Sequence, residues 1–121
     1  MSEQVKGSQG LVASDAANPP VVVIGRFEIE PARREEFLRS RVAMQEATRR
    51  EPGCQCYAAS ADPLDPGVIN MMELWATRAD FQRHLAVLAA RTPEEIAATR
   101  RVPLLGGKIT QYEVAASGPV G

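Results

Sequence analysis

Two strand–helix–strand units in succession predict an α+β domain of the ferredoxin-like kind: a βαββαβ antiparallel sheet with helices packed on one face. Three observations carry this. Residues 21–30, 54–61, 68–76 and 108–115 alternate or run apolar as strands do, residues 31–49 and 77–100 hold apolar positions at helical spacing, and Pro/Gly turns separate them. A chain of 121 residues suits one such domain.

In the opening strand one register holds Val21, Val23, Gly25, Phe27 and Ile29, while the other begins apolar with Val22 and Ile24 and then turns polar. A strand apolar on both faces at one end is covered on both sides there. Helices supply one cover. A second copy of the chain is the expected source of the other, because a bare apolar sheet face is unusual in a monomer, so a symmetric homodimer is predicted.

Pro31 ends the strand and suits a helix start. Through Arg49 a single helix is expected, with Phe37, Leu38, Val42, Met44 and Ala47 gathered on one side. Glu35 and Glu36 come early and Arg49 and Arg50 late, which suits the helix dipole. Pro52-Gly53 stops the helix. The next strand runs to Ala61 and ends in the turn-rich Asp62-Pro63-Leu64-Asp65-Pro66-Gly67. Ile69, Met71, Glu73 and Trp75 share one face of the third strand, and Asn70 has the opposite parity.

Thr77-Arg78-Ala79-Asp80 has the form of a capping box, followed by Phe81, Leu85 and Leu88 at helical spacing, with His84 at the border of that stripe. Thr92-Pro93-Glu94-Glu95 is a cleaner start for a shorter helix ending near Arg100. Pro103 and Gly106-Gly107 then lead into the last strand.

The flanks read differently. Residues 1–20 are rich in Gly, Ser, Ala, Asn and Gln, lack aromatics and end in Asn18-Pro19-Pro20. They are expected to form a loose tail, with an arm around a partner subunit as the alternative. The domain proper is 21–115, and 116–121 is a short C-terminal tail. A basic segment followed by a long apolar run is missing, so no secretory signal is expected, and no stretch is long enough to span a bilayer. A cytoplasmic location is the expectation. The formal charge of −1 argues against a nucleic-acid surface. Cys54 and Cys56, one residue apart on a strand, are expected on the same face, unbridged, as small buried hydrophobes. A two-thiolate metal site would need His84 and more ligands besides.

His84, the only histidine, carries the side chain best suited to act as a base near neutrality; its alternative is a structural donor. Trp75, the only tryptophan, is either core or the wall of a pocket on which a flat substrate stacks. Glu73 shares its face and, if buried, needs a partner such as an arginine. Tyr57, Asn70 and Tyr112 are further substrate-binding candidates.

The run Glu51-Pro52-Gly53-Cys54, followed by Glu73-Leu74-Trp75 and His84-Leu85, resembles the antibiotic biosynthesis monooxygenase family of small dimeric α+β barrel proteins. The resemblance covers residues 21–114. It implies a pocket between sheet and helices and a cofactor-independent monooxygenase that takes dioxygen and a small aromatic or quinone-forming substrate. His84 would be the base, Trp75 the stacking wall, and Tyr57 or Asn70 donors to oxygen. Similar proteins include isomerases and haem-degrading enzymes, so two alternatives stand beside the oxygenase. One is a proton-transfer isomerase of a small carbonyl compound; the other is a non-catalytic ligand-binding dimer. Haem-degrading relatives use an Asn in the first strand and a His after the second helix. Here Gly25 stands at the first place and Leu88-Ala89-Ala90-Arg91-Thr92 at the second, so haem chemistry is not implied. With no dinucleotide fingerprint or P-loop, no cofactor and no metal are expected.

Overall fold

The structure, a computed structural model, describes residues 10–121. In chain order its strands are β1 (Val12–Ala13), β2 (Val21–Glu28), β3 (Cys54–Ala61), β4 (Val68–Trp75), β5 (Gly106–Glu113) and β6 (Ala116–Ser117). Its helices are a 3-10 turn at Pro31–Arg33, then α1 (Arg34–Ser40), α2 (Val42–Arg49), α3 (Arg78–Ala89) and α4 (Pro93–Thr99). The four long strands form one sheet in the order β3-β4-β2-β5, every pair antiparallel. This is the ferredoxin-like arrangement.

Strand alternation decides what the helices cover. Val21, Val23, Gly25 and Phe27 of β2 stand opposite Trp75, Glu73, Met71 and Ile69 of β4, all on the helix side. The core there falls into two groups, one of Val21, Val23, Tyr57, Trp75 and Phe81, the other of Phe27, Ile29, Phe37, Ile69 and Val102. Met71 packs against both. Gly25 lies between them because a Cβ there would meet the Met71 side chain at 3.1 Å. Among the described residues the other sheet face has no helix, and Ile24, Met72 and Tyr112 are exposed on it.

The helix expected over 31–49 breaks at Arg41. The Ser40 hydroxyl donates to the Phe37 carbonyl (2.6 Å), and the Arg41 amide closes a tighter bond to Leu38 (3.1 Å). A hydroxyl bonded back to the preceding turn competes with the helical ladder and bends the helix. The Arg41 guanidinium then lies 4.6 Å over the Phe37 ring. At Thr77 the cap forms, the side chain accepting from the Asp80 amide (3.1 Å). The full reciprocal box appears at Thr92 and Glu95.

The cysteines are not placed as the alternation implied. A bulge between Cys54 and Cys56 sets Cys54 opposite Trp75 and Cys56 opposite Leu74, so they face opposite sides of the sheet. One extra residue in a strand reverses the parity of all that precede it. Both thiols are free and half-buried rather than fully buried.

The described part of the leading segment, 10–20, also differs from a loose tail. Val12–Ala13 pairs with Ala116–Ser117, which likewise takes those residues out of a simple C-terminal tail. Arg78 makes a two-pronged bond to Glu113 (2.6 and 2.8 Å) and a third to the Ala17 carbonyl (2.9 Å). The Asn18 side chain accepts from the Ala79 amide (3.0 Å) at the start of α3. Residues 1–9 lie outside the described residues. Among the described residues no helix is long and apolar enough to cross a membrane.

Candidate functional site

The turn Glu51-Pro52-Gly53-Cys54 positions the site. Gly53 has φ +77°, a conformation that L side chains rarely adopt, and the space a Cβ would need is held by the Asp80 side chain. The Ala76 amide donates to the Gly53 carbonyl (2.8 Å). The end of α2 is thereby pressed onto the first turn of α3. One turn beyond Asp80 stands His84, and the contact brings Glu51 to it.

His84 Nδ1 lies 3.0 Å from Glu51 Oε1 and 3.1 Å from Oε2. Read as an N–H donated to a carboxylate, this contact leaves Nε2 pointing the other way, where Glu73 Oε1 lies at 4.0 Å, beyond hydrogen-bond reach. Trp75 Nε1–H donates to the same Glu73 oxygen at 2.8 Å. The indole stacks on the imidazole, centroids 4.6 Å apart with planes at 27°, and Tyr57 meets the imidazole edge-on at 5.7 Å. His84 is 1% exposed and Trp75 0%.

Burial dominates the electrostatics. It pushes the Glu73 carboxyl above its ordinary value; the Trp75 hydrogen bond and His84 pull the other way, and Glu51 adds to the rise. Burial also pushes the Tyr57 phenol up to about 12, helped by Glu73, so it is a neutral donor at neutral pH. The Cys54 thiol is raised by burial and by Glu51 and Glu73, which leaves it a poor nucleophile.

Beside this cluster a cavity of about 310 Å³ opens between α2, α3 and α4. Ala43, Met44, Ala47, Val87, Leu88 and Ala98 give it apolar walls, and Glu51, Arg91 and Glu95 give it charge. That volume is at the small end for a ligand pocket and suits a molecule of one or two rings. Glu51 belongs both to the cavity wall and to the His84 contact.

Of the residues singled out in the sequence, the structure brings together Tyr57, Glu73, Trp75 and His84. It leaves out Asn70, exposed on the helix-free face with its amide donating to Asp62 (2.7 Å), and Tyr112, exposed on the same face of β5. Opposite strand parity separates both from the cluster. The partner of Glu73 is an indole N–H rather than an arginine. His84 is not at the border of its helix's apolar stripe: it is buried with Phe81, while Leu85 is 45% exposed. The hollow expected at the indole is replaced by packed rings, and the cavity lies one layer further out, among the helices. Glu51 was read only as part of a turn; its place directly before Pro-Gly, in the motif that carries the family resemblance, was the available signal.

An antiparallel four-stranded sheet roofed on one side, with its polar groups gathered beneath the roof, defines a ferredoxin-like α+β domain. The chain belongs to the antibiotic biosynthesis monooxygenase family, whose model matches residues 20–92. A solved relative, a candidate antibiotic biosynthesis monooxygenase from Deinococcus radiodurans, is 25% identical with a TM-score of 0.67, over 84% of this chain and 98% of that one. The protein Rv0793 of Mycobacterium tuberculosis is 26% identical with a TM-score of 0.60, over 78% and 94%. An uncharacterized protein of Synechocystis, sll1783, is 31% identical over 84 residues, which are 69% of this chain and 51% of that protein. The chain thus spans about half the length of the curated relative it matches.

Proposed function

We propose that the protein is a cofactor-independent monooxygenase that oxidises a small aromatic or quinone-forming substrate in the helix-lined cavity. The observation that carries this is Glu51, a carboxylate on the cavity wall held through both oxygens by a buried imidazole. Glu51 takes a proton from an activated ring carbon, and His84 Nδ1–H fixes its orientation and steadies its charge. The resulting carbanion passes one electron to dioxygen. The radical pair then joins into a peroxide, which regains the proton and loses water to leave a ring carbonyl. The net reaction converts CH2 and O2 to C=O and H2O. His84 is too buried to touch a substrate in the cavity, so the base assignment moves from the imidazole to its carboxylate partner.

Oxygen uptake with 1,5-dihydroxynaphthalene, a two-ring phenol whose keto tautomer carries the CH2 to be oxidised, tests this. Turnover with quinone formation is expected, with Glu51→Gln lowering kcat about 100-fold or more and His84→Ala lowering it less. Turnover that continues unchanged under nitrogen would assign an isomerase instead.

Homodimerisation through the helix-free sheet face is part of the same proposal. Ile24, Met72 and Tyr112 are about half exposed there, beside half-buried Val22 and Leu74. Equilibrium sedimentation is expected to give twice the 13.1 kDa chain mass. An Ile24→Lys, Met72→Lys double variant should shift it to monomer. A wild-type monomer at micromolar concentration would count against the dimer.

A further inference from the structure

We infer that Arg41, Arg91 and the phenol of Tyr57 form a receiving site for the acidic group of an aromatic anion whose ring occupies the helix-lined cavity. The inference rests on the reading of that cavity as the substrate site and adds the charge of the substrate. Three cations stand where the helices end: Arg41 at the junction of α1 and α2, Arg91 after α3, and Arg100 after α4. Among the described residues none of the three has a carboxylate within ion-pair distance, whereas Arg33, Arg78 and Arg83 each do.

The carboxylates nearby are engaged elsewhere. Glu95 closes the cap of α4 through the Thr92 amide (2.9 Å), Glu51 holds His84, and Glu73 takes the indole N–H. Arg91, on the cavity wall, has only weak partners: the Leu88 carbonyl at 3.3 Å, Thr99 Oγ1 at 3.4 Å and Met44 Sδ at 4.0 Å. Arg41 Nε is buried and, among the described residues, bonded to nothing. A buried donor without an acceptor is costly, and more so on a charged group.

Met44 links these groups: its Sδ lies 4.0 Å from Arg91 Nη1, it packs against the cluster that holds Tyr57, and Arg41 stands one turn before it. Burial lowers the Arg41 guanidinium, Arg91 and Arg100 lower it further, and Tyr57 opposes them. Arg41 and Arg91 in turn pull against the burial that raises Tyr57. Like charges beside a neutral phenol are rich in N–H and O–H donors, with the phenol oxygen alone as an acceptor among them. An anion supplies what they lack. A carboxylate or an ionised phenol on a one- or two-ring aromatic satisfies both the charge and the apolar walls.

The test is isothermal titration of the full chain with 2-naphthoate and with 2-naphthamide, its neutral counterpart. Naphthoate is expected to bind about tenfold more tightly or better, the value of one charge-assisted hydrogen bond. Arg91→Gln should erase that preference by weakening naphthoate about tenfold and naphthamide much less. Arg41→Gln should do the same, but Arg91→Gln carries the test because Arg41 also packs on Phe37 and its loss can unsettle the helix junction. Equal affinity for the two probes, a preference that survives in Arg91→Gln, or no naphthoate binding at millimolar concentration would overturn the inference. So would inorganic phosphate that competes as strongly as naphthoate itself, since that describes a site for any free anion. Neither probe is oxidised. An anion preference without oxygen uptake would remove the oxygenase and leave this site, and oxidation of the neutral dihydroxynaphthalene without the preference would do the reverse.

Discussion

Trp75→Ala is expected to cost most of the stability of the fold. The indole is wholly buried, stacked on His84 and tilted against Phe81 with centroids 6.3 Å apart. Truncating a packed aromatic to alanine costs about 3–5 kcal/mol in lost burial and residual cavity. Here the substitution also strips the 2.8 Å donor from Glu73, leaving a buried carboxyl oxygen unpaired at about 1–3 kcal/mol more. Against a total of roughly 5–15 kcal/mol for a domain, that brings the chain to the edge of unfolding. Urea unfolding followed by far-UV circular dichroism is the measurement, since the variant lacks the only tryptophan. A midpoint lower by roughly 2 M is expected, or failure to fold. Trp75→Phe separates the two parts, keeping most of the ring and deleting the N–H. A cost for Trp75→Ala below about 1 kcal/mol would mean that the indole does not hold β4 against α3.

What could be read from the residues alone follows from the range of the interactions involved. Period-two alternation placed Val21, Val23 and Phe27 on one face of β2, and Ile69, Met71, Glu73 and Trp75 on one face of β4; the register joins those faces residue by residue. The same alternation separated Asn70 from Trp75. Turn and cap chemistry located both ends of α4. Local patterning could not show the bulge at Gln55, which depends on how β3 meets β4 and which turned the two cysteines to opposite sides. Nor could it show the break at Arg41, where a serine hydroxyl outcompetes the ladder. The pairing of Val12–Ala13 with Ala116–Ser117 joins residues about a hundred positions apart and has no local signature. The site divided along the same line. Aromatic and ionisable residues on one strand face were visible as a group. The meeting of Glu51 with His84 was not, because it depends on where the Gly53 turn lands on α3. The proposal of Glu51 as the base rests on that single contact and on its place in the wall of the cavity between the helices.

Glu73→Gln is expected to stabilise the protein at neutral pH and to flatten its stability against pH. The carboxyl is raised above its ordinary 4.5 by burial, against the opposing pull of the Trp75 bond and His84. A raised acid binds its proton more tightly in the folded than in the unfolded chain. Its contribution is therefore fully present below about pH 4.5 and is lost as the pH climbs from there through the higher folded value. At neutral pH the wild type carries the whole penalty of a buried charge or of the proton it must hold. Glutamine removes the ionisation and keeps the carbonyl oxygen that accepts from Trp75 Nε1–H, so the packing survives. His84, Glu51, Tyr57 and Cys54 are the other titratable groups around Glu73, and they remain in both proteins. The difference between the two unfolding curves therefore isolates Glu73. Thermal unfolding of both proteins from about pH 4 to 8 should show the variant level with or below the wild type at the acid end, and above it at neutrality. Parallel curves across that range would mean that Glu73 is not desolvated, and with it would go the dry cluster that holds Glu51 and His84 in place.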